Sequence, residues 1–97
     1  MKREDFIFTI GFDGGTAIID GKAKKKYGRL STNQLADKGL FKPAFCAAIF
    51  DNDEQSVQYV IHKYNENKGT SYGSADELKR LFGVDETKGE NIRVKTL

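Results

Sequence analysis

The chain has one cysteine, one histidine, one proline and no long apolar run, and these scarcities narrow what it can be. A lone thiol, Cys46, rules out an intrachain disulfide framework and any multi-cysteine zinc motif. It suits a reducing compartment better than a secreted one. Nothing approaches the roughly 20 apolar residues that a membrane-spanning helix needs. Lys2 and Arg3 are followed at once by Glu4 and Asp5, and the apolar run 6–10 is too short for a signal peptide. The expected location is therefore the cytoplasm, with no membrane partner.

What is present suits one compact core. At 97 residues the chain has the size of a single domain, 1–97, and seven Phe with four Tyr supply the apolar bulk. The net charge is only +2, but it is unevenly spread. Residues 1–21 sum to −2, residues 22–42 to +6 and residues 43–97 to −2. Only the middle segment carries a strong electrostatic sign.

Phe6-Ile7-Phe8-Thr9-Ile10 is β-branched and aromatic, and predicts a buried strand. The glycine-rich stretch 11–15 then predicts a longer hairpin loop, with residues 16–20 as the returning strand. Residues 22–27 read either as a third strand, with Lys22, Lys24 and Lys26 on one face, or as a short helix ending at Gly28. From residue 31 the pattern turns helical. Ser31 or Thr32 can cap a helix through residue 38, with Gly39 as its left-handed stop. Pro43 is acceptable in the first turn of a helix that runs through the apolar stretch 44–50.

Asp51 or Asp53 opens an amphipathic helix over 54–67, with Val57, Val60, Ile61 and Tyr64 on one face. Ser74 and Glu77 match a capping box. Leu78, Leu81 and Phe82 form the expected buried stripe after it, and Gly83 ends that helix. Residues 85–91 read as a charged linker, and residues 92–97 alternate like a half-exposed strand. The expected fold is α+β, with a small antiparallel N-terminal sheet of two or three strands packed against three or four helices. Residues 92–97 are placed to add a C-terminal edge strand.

Several constellations invite a chemical reading. The glycines at 11, 14 and 15 lack both the Lys-Ser/Thr ending of a phosphate loop and the helix that should follow it. Residues 31–50 are spaced like a helix-turn-helix, but their second helix offers almost no polar side chain to a base edge. Cys46 and His62 are the one nucleophile–base pair to ask about, yet the cysteine sits in a buried-looking helix and no third group orients the histidine. One His and one Cys do not complete a zinc tetrahedron, and Asp51-Asn52-Asp53-Glu54 lacks the later ligands of a calcium loop. No catalytic residue, metal or cofactor is expected.

Two features remain. Lys22, Lys24, Lys25, Lys26 and Arg29, with Tyr27 among them, can bind phosphates. Their plainer role is a solvated face that guards a sheet edge. Tyr59, Tyr72, Ile92 and Val94 can serve a protein partner, since tyrosine is enriched at interfaces and an edge strand can pair with another chain. The expectation is a small non-catalytic protein-binding or regulatory domain, able to self-associate. The alternative is nucleic-acid or other polyanion binding through residues 22–29.

Overall fold

The computed structural model describes residues 1–84 and 92–97, and the charged run 85–91 lies outside the described residues. The elements run α1 (Arg3–Ile7), β1 (Thr9–Asp13), β2 (Thr16–Ile19), α2 (Gly21–Tyr27), α3 (Thr32–Asp37), α4 (Phe41–Phe50), α5 (Glu54–Lys68), α6 (Ala75–Phe82) and β3 (Arg93–Thr96). The fold is α+β. Its sheet has the order β1-β2-β3 and is mixed: β1 and β2 are antiparallel, while β3 lies parallel to β2. The expectation of a purely antiparallel sheet is corrected on this point. The C-terminal strand does add an edge, and Leu97 donates its N–H to the Ile19 carbonyl at 3.0 Å.

The N-terminal strand begins three residues later than its composition predicts. Arg3–Ile7 is a short helix, closed by Phe6 N–H to Lys2 O and Phe8 N–H to Glu4 O. Long-range anchors account for the difference. Arg3 makes a two-pronged ion pair with Asp51 at 2.9 and 3.0 Å, and Lys24 reaches Asp5 at 2.6 Å. Ile7 and Phe8, at the end of this helix, are both buried in the core. Tertiary contact outweighs β-propensity here. The hairpin loop is correspondingly shorter: Asp13 pairs with Thr16 across Gly14 and Gly15, with Gly14 at φ +60°.

Residues 22–27 are helical, which decides between the two readings of that segment. Asp20 accepts the Ala23 N–H at 3.1 Å as the N-cap, and three lysines occupy the last turn, where they complement the helix dipole. Gly21, the first residue of α2, has no room for a β-carbon. One placed there would lie 2.2 Å from the Leu97 carbonyl oxygen, so glycine lets the C-terminal strand close against the start of α2. Gly21→Ala is expected to cost about 1–3 kcal/mol in urea unfolding, the usual penalty for overpacking. Unchanged stability would contradict this seating of β3.

The helical half largely follows its pattern. Ser31 and Gln34 form a full capping box on α3, Asp53 caps α5, and Ser74 caps α6 by accepting the Glu77 N–H at 3.4 Å. The reciprocal bond expected from Glu77 differs: its carboxylate receives the Ser74 hydroxyl instead of the Ser74 N–H. A single cluster of buried residues joins Ile7 and Phe8, Ala17 and Ile19 of β2, and α3 to α6, with α4 packed against α1, α3 and α5. Phe45, Leu35, Val60 and Leu78 are fully buried in it. Leu81 departs from the expected stripe and is 45% exposed. Leu78 and Phe82 hold their expected places, Leu78 fully buried and Phe82 packed against the core.

Candidate functional site

The basic segment changes meaning once it is a helix. A strand would have aligned Lys22, Lys24 and Lys26. A turn of 3.6 residues instead groups Lys22, Lys25 and Lys26 on one face, and Arg29 continues the same spacing just past the helix end. All four side chains are exposed, and among the described residues none of them makes an ion pair. Lys26 places its ammonium 5.2 Å from the centroid of the Tyr27 ring, within cation–π range.

Lys24 falls on the other side of α2 and belongs to the fold. Its ammonium meets Asp5, which is 8% exposed, at 2.6 Å. Removing it strands a desolvated carboxylate. Lys24→Met is expected to lower stability by about 1–3 kcal/mol in urea unfolding, the cost of leaving a largely buried acceptor without its hydrogen-bond partner. The same change should leave affinity for an anionic ligand nearly untouched.

Ala23 and Tyr27, on a third side of α2, face inward. They line an apolar cleft of about 270 Å³ together with Ile10, Leu40 and Pro43. The pairing register shifts between Thr9 and Gly11, so Ile10 is the extra residue of a β-bulge and stands 55% exposed. Asp20 and Lys42 are the charged residues in this lining.

The expected partner-binding residues are placed differently. Tyr59 is half-buried and donates its hydroxyl to Asp37, which holds the phenol above its ordinary pKa. Tyr72 folds back onto the helices. Its ring lies 5.9 Å from Tyr64, and Asn65 secures its backbone through both N–H and C=O, at 3.0 and 2.8 Å. Ile92 packs against the core, while Val94 is exposed in β3, an edge strand that pairs with β2 along one side. Nothing in the sequence around Asn65 announces its clamp on the loop, because the bonds join residues five to seven apart across a turn.

Cys46 and His62 are not brought together. Cys46 is buried in α4 beside a second cleft of about 250 Å³ lined by Phe6, Phe12 and Phe82. Burial pushes its thiol up to about 11, with Lys42 acting weakly in the opposite direction. A thiol so protonated is a poor nucleophile at neutral pH. His62 points to solvent and meets Glu66 at 3.3 Å, one helical turn on. Among the described residues, no group of three or more His, Cys, Asp or Glu side chains is arranged to hold a metal ion. In the same residues no helix is long and apolar enough to cross a membrane. No protein-family model, curated protein or solved structure matches the chain.

Proposed function

We propose that this is a non-catalytic binding domain of the cytoplasm whose α2 face holds a polyanion, nucleic acid being the ligand class that suits it best. One observation carries the reading: Lys22, Lys25, Lys26 and Arg29 share an exposed line and have no acidic partner among the described residues. Structural lysines are spent on carboxylates, as Lys24 is on Asp5. Four cations in eight residues that have no carboxylate partner among the described residues can displace the counterions of a phosphate backbone. Tyr59 and Tyr72 support a protein-binding reading less well, because each is engaged within the chain itself.

A fluorescent single-stranded oligonucleotide titrated at about 50 mM salt tests this directly. From a slope of roughly 0.7 per neutralised phosphate, each cation is worth roughly a factor of eight at that salt. Lys22→Gln with Lys25→Gln should therefore weaken binding roughly 60-fold and flatten its salt dependence. No measurable wild-type binding under these conditions would sink the proposal.

A further inference from the structure

We infer that the anion bound by α2 is single-stranded nucleic acid, one base of which enters the cleft walled by Tyr27; this rests on the polyanion reading above. The basic line and the cleft are adjacent sides of the same helix. Lys22 and Lys26 lie on the exposed side, and Ala23 and Tyr27, one position further along in each case, line the cleft. Lys26 joins the two sides, since its ammonium lies 5.2 Å from the Tyr27 ring centroid. A base stacked at that ring would have its own phosphate close to that ammonium. Aromatic side chains beside a cationic track are how sequence-tolerant single-strand binding is built, because every base offers a π-face.

The dimensions and lining select among anions. At about 270 Å³ the cleft is smaller than the roughly 300–1,000 Å³ of pockets for drug-sized ligands, so it suits one ring system. Its walls are apolar: Ile10, Ala23, Leu40 and Pro43 stand with the tyrosine. The carboxylate in the lining, Asp20, is already committed to the Ala23 N–H as the cap of α2, and Lys42 supplies a further cation. A duplex keeps its bases stacked and paired, out of reach of such a cleft. Inorganic polyphosphate would use the lysines and leave the apolar walls empty. Ile10, the extra residue of the bulge, borders this cleft and the neighbouring one beside Cys46.

The experiment compares three probes on the whole chain: an oligothymidylate, an abasic oligonucleotide of equal length, and phosphatidylserine-containing vesicles. Wild type should bind oligothymidylate about tenfold or more tightly than the abasic strand, the expected effect of one stacked base. Tyr27→Leu, which keeps an apolar side chain at the position, should bring the two affinities together without altering the salt slope. Equal affinity of wild type for both strands overturns the inference, while salt-sensitive binding of both leaves the polyanion reading standing. Vesicle binding without oligonucleotide binding also overturns it and assigns the face to a lipid surface. Absence of binding to every probe overturns both readings. The wild-type comparison needs no variant, so a Tyr27→Leu protein that failed to fold would not shield the inference.

Discussion

Phe45→Ala is expected to destabilise the domain by about 3–5 kcal/mol, the largest loss available from one truncation in this core. Phe45 is completely buried near the middle of α4, the helix that touches α1, α3 and α5. Its ring lies 5.8 Å from Phe82, which in turn meets Tyr64 edge-on at 5.6 Å. Truncation therefore leaves a cavity and also removes one member of an aromatic chain that continues to Phe41 and Tyr72. Small domains have roughly 5–15 kcal/mol in total, so this change consumes a large share of the margin. The expected drop in Tm is about 15 °C or more. Leu81→Ala supplies the contrast: its side chain is nearly half exposed, and the change should cost no more than about 1 kcal/mol. Comparable losses at the two positions would mean that α6 is rotated from the orientation described.

Neutralising the whole line with Lys22→Gln, Lys25→Gln, Lys26→Gln and Arg29→Gln should abolish oligonucleotide binding while the fold persists. The four side chains are exposed and make no ion pair among the described residues, so their loss removes only the Lys26–Tyr27 contact and part of the charge that complements the end of α2. The formal net charge of +2 would become −2, and that general change needs a control. Lys68 and Arg80 are exposed cations on α5 and α6. Lys68→Gln with Arg80→Gln alters the net charge as much as Lys22→Gln with Lys25→Gln does. A binding face predicts at most a fewfold change for the first pair and roughly 60-fold for the second. Equal effects would mean that net charge alone draws the ligand, with no defined face on α2.

The helical half was legible because its signals are local. Ser31, Asp53 and Ser74 each sit where a side chain can take up a free N–H, and Val57, Val60 and Ile61 repeat with the period of a helix. The N-terminal half was misread wherever a distant partner decided the matter. Phe6, Ile7 and Phe8 have strand-like composition, but Asp51 and Lys24 hold that segment as a helical turn. The direction of β3 was equally hidden, since pairing with β2 depends on everything between them. Of the site, the basic cluster was visible as composition. Which lysines face outward required the helix, and the bulge that makes Ile10 an extra residue of β1 is encoded by no alternation pattern.

The most direct measurement of the central claim is the slope of log affinity against log salt for wild type and a single-stranded oligonucleotide. Four cations on one face predict a slope of about −3, so affinity should fall roughly 50-fold between 50 and 200 mM salt. A slope near zero, or no binding at the lowest salt, would contradict the assignment of Lys22, Lys25, Lys26 and Arg29 as a polyanion-binding face.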